Sequence, residues 1–247
     1  MKFMAFCGRN TKEILRDPLT VGFGVAFPVV LIILLTLINS NIPNAPENLF
    51  NINRLAPGMC IFGLSFVSLF SGMLISKDRT SSFLMRLYTS PLTPTDFILG
   101  YTVPLIPFCI VQSLLCMVLG VILGMEFGVG FFVTLLVLMP SNLLFIAIGL
   151  WTGSVFNDKQ VGGMCGALLT NLTAWLSGIW FDVDLVGGVF KTIAELLPFV
   201  HAVDAAEAAN AGNYSEIFPD LWWVIGYAVV LLALSVVTFK KSMTKDA

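Results

Sequence analysis

The chain has 247 residues, of which 57% are hydrophobic and 11% charged, with a net charge of −2. Soluble domains carry about 25% charged residues, so a water-coated globular fold is excluded. The mean hydropathy of +0.91 points instead to a protein that lives in lipid.

Six stretches lack Asp, Glu, Lys and Arg for long enough to cross a bilayer: 18–46, 55–76, 97–125, 127–157, 160–181 and 221–239. A crossing takes about 20 apolar residues, because roughly 30 Å of hydrocarbon is spanned at about 1.5 Å per residue. The runs do not alternate in polarity, as barrel strands would. An all-α membrane protein with six transmembrane helices is expected, near 20–39, 55–75, 101–124, 130–155, 161–181 and 221–239. Lys2, Arg9, Lys12, Arg16, Lys77, Arg79, Arg86, Lys159, Lys240, Lys241 and Lys245 fall on one side of these spans, and only Arg54 and Lys191 on the other. Basic residues mark the cytoplasmic side, which places both termini there.

The first residues, MKFMAFCGRNTKEILRDP, interleave Phe3, Phe6, Ile14 and Leu15 with four basic residues. This is the pattern of a helix lying on the interface. Residues 1–17 are therefore expected as an amphipathic interfacial helix and 18–247 as the six-helix membrane domain. They carry no apolar core of the signal-peptide kind, so the first apolar run is expected to remain as a span. Pro18 favours an extended Asp17, which lets the lead-in turn upward. The external loop 40–54 and the turn 125–129 are too short for a folded domain.

Between spans two and three lies KDRTSSFLMRLYTSPLTPTDFILGY, residues 77–101. Phe83, Leu84, Leu87 and Tyr88 recur at i, i+1, i+4 and i+5, as in a short amphipathic helix. Ser90-Pro91 ends it, and Thr95 or Asp96 can cap the next span. This helix is either a solvated connector or a docking surface that a cytoplasmic partner can push. Gly120-x-x-x-Gly124 and Gly149-x-x-x-Gly153 would let helices approach closely, while Pro104 and Pro107 would bend span three.

No residue with a full charge lies mid-span, so a carrier driven by ions or protons is not indicated. Gln112, Asn142, Asn171 and Thr170 are the polar groups that stand out within the spans. They either bond helix to helix or line a translocation path. Residues 182–220 carry too many charges for a seventh crossing. They read as two short helices split at Pro198, re-entrant from the outside and shielded by protein. Cys7, Cys60, Cys109, Cys116 and Cys165 show no metal or disulfide spacing, and no metal site is expected. The string GGVFKT at 187–192 lacks the glycine before lysine that a phosphate loop needs. Ser177 and His201 would be the only pair for nucleophilic chemistry, in a poor motif. No enzymatic activity of the chain's own is expected, nor any nucleic-acid partner.

The 78–101 segment resembles the corresponding loop of the ABC-2 type permeases, the membrane subunits of ATP-binding-cassette exporters. Asp78-Arg79 matches that family's acid-Arg pair, Leu84 its leucine, Ser90-Pro91-Leu92-Thr93 its turn, and Phe97 to Gly100 the start of its next helix. Ser82 and Phe83 stand where the family usually has Gly-Thr. RNTKEILRDPLTVGFGVAFPVVLIIL is similar to the family's interfacial helix and its rise into span one. LSGIWF and LPFVHAVDAAEAA are similar to the end of span five and the external hairpin.

The resemblance implies that the 77–100 loop carries a coupling helix docking a cytoplasmic ATPase, with Asp78, Arg79, Phe83, Leu84, Arg86, Leu87, Tyr88, Ser90 and Pro91 contacting it or positioning the loop. Glu13, Arg16 and Asp17 would brace the lead-in helix. Two ATPase copies would bind ATP and Mg, leaving no cofactor in this chain. A second permease chain, identical or homologous, and membrane lipid would complete the surroundings, in a prokaryotic cytoplasmic membrane. The implied function is export of a hydrophobic drug, antibiotic, peptide or lipid-like cargo. A polysaccharide or lipid-linked glycan exporter of the same family is one alternative, and a non-transporting scaffold or immunity protein is the other.

Overall fold

The computed structural model describes residues 2–42, 50–81, 83 and 93–245, and every regular element among them is helical. The expected coupling-helix residues Leu84, Arg86, Leu87, Tyr88, Ser90 and Pro91 lie outside the described residues.

Helix α1 is Lys2–Arg16. Its buried residues Phe6, Asn10 and Ile14 are spaced by four and so share one face, while Met4 and Leu15 point outward. Asp17 is extended, with φ −86° and ψ 105°, and its carboxylate accepts from the Leu19 amide at the start of the next helix. That corner is the one Pro18 dictates.

Helix α2, Pro18–Asn41, contains a widened π turn at Gly22–Ala26. Helix α3 is Ile52–Thr80, α4 is Pro94–Ile122 and α5 is Val129–Val155. The last long helix, α10, is Ile217–Lys245. These five are long and apolar enough to cross a membrane.

The stretch expected at 161–181 is helical in three abutting pieces, Asp158–Val161, Gly162–Leu169 and Thr170–Leu176, together called α6. It is not among the five. Asn157 caps it, accepting from the Gln160 amide while Gln160 returns a side-chain acceptor to the Asn157 amide. It stops at Leu176, short of 181, because Gly178 turns the chain with φ +74°, a conformation that only glycine adopts without strain. Three short helices follow: α7 (Val183–Val186), α8 (Gly188–Leu196) and α9 (Pro198–Ala211). The break between α8 and α9 falls at Pro198 as expected, with Leu197 extended ahead of it.

Helix α3 is the central post. In its most apolar stretch 83% of residues are buried, against 22% in α2 and 17% in α10, which form the rim. Lipid tails give helices no hydrophobic reason to associate, so close packing and hydrogen bonds hold them together. The seam between α3 and α5 shows how. The Ser68 hydroxyl donates to the Phe145 carbonyl. A Cβ on Gly153 would meet the Gly72 backbone, and one on Gly149 would overlap the Ser71 side chain and the Ser68 carbonyl.

The other glycine pair behaves differently. Gly120 packs on Ala56, but Gly124, at φ +112°, lies in the turn beyond α4. Pro104 and Pro107 are both carried inside α4.

Candidate functional site

The C-terminal end of α3 and the N-terminal end of α4 flank the segment expected to dock a partner, and α1 ties them together. At the end of α3, Asp78 is buried. Arg9 reaches it with both guanidinium nitrogens, at 2.6 and 2.8 Å, and the Tyr101 hydroxyl of α4 donates to it at 2.8 Å. Such a two-pronged pair fixes orientation as well as charge. Arg9 is held in turn by Glu13 one turn on, at 2.6 Å. Burial works against the Arg9 charge, but the bond to Asp78 and the fields of Asp78 and Glu13 outweigh it, so its pKa rises.

The Asn10 amide donates to the Gly100 carbonyl at 2.9 Å. Phe6 fills the space a Gly100 side chain would take. Its ring centroid lies 5.0 Å from Tyr101, 5.8 Å from Phe97 and 6.5 Å from Phe83. Arg9 also sits over the Phe83 ring, 4.4 Å from its centroid. One face of α1 thus grips both flanks of the loop at once.

Arg79 faces the other way, donating to the Gly153 carbonyl at 2.9 Å, while Ser76 donates to the Phe156 carbonyl at 3.2 Å. Carbonyls in the last turn of α5 lack helical partners, and a cation there also suits the helix dipole. On the far flank, α4 begins at Thr93. Thr93 and Asp96 form a reciprocal capping box with Pro94 in the first position. The cap is therefore Thr93 rather than Thr95 or Asp96; Asp96 is the returning acceptor.

The sequence profile of the ABC-2 type transporter family matches residues 1–209, which include the whole of this clasp. The chain belongs to that family. It is a multi-pass membrane protein and the permease component of an ABC transporter, and ABC-2 membrane domains work with an ATPase partner. A search among curated proteins found no match.

The ABC-2 clasp uses only part of the expected bracing set. Glu13 acts through Arg9, Asp17 caps the start of α2 through Leu19 and Thr20, and Arg16 is exposed and paired with no carboxylate among the described residues. Arg9, Asn10, Phe6 and Tyr101 were not expected there. A signal for Arg9 existed: an acid at the buried end of a span requires a cation, and Arg9 shares the Phe6 end of the lead-in helix.

The polar residues within the spans separate into distinct roles. Gln112 is fully buried between α3 and α4, with its amide 3.3 Å from the Cys60 carbonyl. Thr170 and Asn171 bond back to their own helix, to the carbonyls of Cys165 and Ala167. Asn142 differs, because its carbonyl oxygen has no partner among the described residues. It lines a cavity of about 460 Å³ between α4 and α5, with Ser113, Phe132, Leu136 and Met139.

At the opposite end, Arg54 of α3 contacts Glu207 and Asp204 of α9 and the Gly178 carbonyl. His201 lies with one ring nitrogen 2.6 Å from Asp220 and the other 2.7 Å from the Glu195 carbonyl. Its ring stacks on Trp223 at 5.3 Å. An ionised Asp220 and the Glu195 carbonyl can only accept, so this geometry favours the doubly protonated ring. Burial alone would lower its pKa, but the Asp220 and Glu195 bonds and the nearby carboxylates raise it. Burial also pushes Asp204 up to about 6, against the pull of Arg54. The Ser177 hydroxyl is buried without a hydrogen-bond partner among the described residues, so the Ser177–His201 pair is not assembled here.

Proposed function

We propose that the chain is the permease of an ABC exporter in a prokaryotic cytoplasmic membrane. It would move a hydrophobic drug, antibiotic, peptide or lipid-like cargo outward. Two copies of a separate ATPase supply the energy by binding ATP and Mg, and a second permease chain completes the pathway. In this reading α6 makes the sixth crossing, since its 19 residues reach about 28 Å at the helical rise. Both termini are cytoplasmic, and α8 and α9 form the external re-entrant hairpin. The chain itself performs no chemistry.

The observation that carries this reading is the clasp. Arg9, Asn10 and Phe6 of α1 hold Asp78 of α3 and Gly100 and Tyr101 of α4, so any push on the segment between them is passed to two spans together. Asp78, Arg79 and Phe83 position that segment, and Leu84, Arg86, Leu87, Tyr88, Ser90 and Pro91 supply the docking surface. Asn142, which lines an apolar cavity and whose buried amide oxygen has no partner among the described residues, is the best candidate among the four polar residues for contact with cargo. The small external loops and the apolar lining of that cavity favour a hydrophobic cargo.

Co-expression with a candidate ABC ATPase subunit tests the reading. The expected result is a stable complex in nanodiscs whose ATP turnover rises with cargo. A folded chain that recruits no ATPase would overturn the exporter assignment and leave the scaffold or immunity alternative. Leu84→Asp with Leu87→Asp should insert normally and lose the ATPase.

A further inference from the structure

The corner where α1 turns into α2 holds an open cavity of about 920 Å³, and none of the roles above uses it. Its charged lining is Arg9, Lys12, Glu13, Arg16, Asp17 and Lys77. The two carboxylates are already engaged, Glu13 by Arg9 and Asp17 by the start of α2. Arg9 is also engaged, by Asp78. Lys12, Arg16 and Lys77 are left exposed around one opening, and none is paired with a carboxylate among the described residues.

A second, narrower cleft of about 160 Å³ adjoins the first and shares Glu13, Asp17 and Lys77 with it. It runs between the α1–α2 corner and α3, and its wall is apolar: Ile14, Leu19, Phe70, Met73 and Leu74. A basic mouth leading into a greasy slot matches a molecule that is anionic at one end and hydrocarbon at the other. Three cations with no carboxylate partner among the described residues favour a net-negative head group over a zwitterionic one. The slot, set beside the rising span, receives the first part of an acyl chain.

We propose that this corner is a binding site for an anionic glycerophospholipid, with its phosphate among Lys12, Arg16 and Lys77 and an acyl chain entering beside Leu19 and Met73. The lipid would seat α1 against the membrane beside its contact with α3. The proposal rests on α1 lying at the cytoplasmic interface. Lipid binding is read without ATP or cargo, so a failed transport assay leaves it untouched.

The test is native mass spectrometry of the purified full chain in mixed micelles containing phosphatidylglycerol and phosphatidylcholine. The wild type should retain phosphatidylglycerol preferentially, by tenfold or more. Each cation near an anionic surface contributes about a fivefold factor. Lys12→Gln, Arg16→Gln and Lys77→Gln together should therefore abolish the preference. The charge-conserving set Lys12→Arg, Arg16→Lys and Lys77→Arg should keep it. If the glutamine triple fails to fold, Lys77→Gln alone should weaken retention about fivefold. Equal retention of the two lipids by the wild type would overturn the proposal, as would a preference unchanged in the glutamine variants. Displacement of phosphatidylglycerol by equimolar soluble glycerol 3-phosphate would also overturn it, by showing that the site takes a free phosphate.

Discussion

Both ends of α3 are pinned by an arginine–carboxylate contact, and the two pins differ in kind. At the C-terminal end, the inner one in the proposed topology, one buried acid, Asp78, meets three donors: two guanidinium nitrogens of Arg9 and the Tyr101 hydroxyl. At the outer end one arginine, Arg54, is shared between half-exposed Asp204 and Glu207, with Asp220 and His201 close by. The inner pin is closed and joins three helices in a fixed relation. The outer one has acids in excess and includes groups that titrate near neutral pH. In the exporter proposed above, stiffness at the Asp78 end would pass motion on from the ATPase, whereas the looser Arg54 end would let cargo leave.

The Arg9–Asp78 contact is the costlier of the two to remove. Arg9→Ala leaves the buried Asp78 without its cation, and removing one partner of a buried pair costs about 3–5 kcal/mol. Thermal unfolding in detergent should show the loss, at roughly 2–4 °C per kcal/mol for a chain of this size. Replacing both Arg9 with Met and Asp78 with Leu should recover much of it, because no unpaired charge remains. The central seam comes next. Gly153→Val would drive a side chain into the Gly72 backbone, and such overpacking costs about 1–3 kcal/mol, measured in the same way.

The smallest effect is the one that sharpens the contrast. His201 is raised above its ordinary 6.5, so its stabilisation is full below that value and fades as pH rises through the raised one. Asp204 is raised from 3.8 to about 6, so the fold favours its protonated form. That contribution is full below 3.8 and is lost as pH rises past about 6. Both terms have the same sign. The unfolding temperature should be higher at pH 5.5 than at pH 8, and the difference should shrink in His201→Gln and Asp204→Asn. A larger pH dependence in Arg9→Ala than in His201→Gln would contradict the assignment of the titrating groups to the outer end.

Much of the architecture was legible in the chain. Long charge-free runs placed five of the long helices, those expected at 20–39 and 130–155 within two residues of their observed limits, and Pro18 and Pro198 marked two real corners. The misses have physical causes. Helix α3 runs on to Thr80, past the expected 75, because Lys77 and Arg79 are not helix breakers. Arg79 finds the free carbonyls of α5, and Lys77 points outward. Helix α6 stops early because Gly178 adopts a left-handed conformation that its letter permits but does not require. Its polar Lys159, Gln160 and Asn171 also thin the apolar signal. Of the site, Asp78 was legible from the loop motif, but its partner was not. Arg9 is 69 positions away, and a contact across that distance depends on how α1 lies, which local pattern does not encode.

The central claim is that α1 couples the loop to two spans through Arg9 and Asp78. The most direct measurement is cargo-stimulated ATP turnover in the reconstituted permease–ATPase complex, comparing wild type, Arg9→Lys and Arg9→Ala at matched folded fraction. Lysine keeps the charge but loses the fork, so an intermediate stimulation is expected for Arg9→Lys. In Arg9→Ala the ATPase should still bind while stimulation is lost. Full stimulation in Arg9→Ala would contradict the claim.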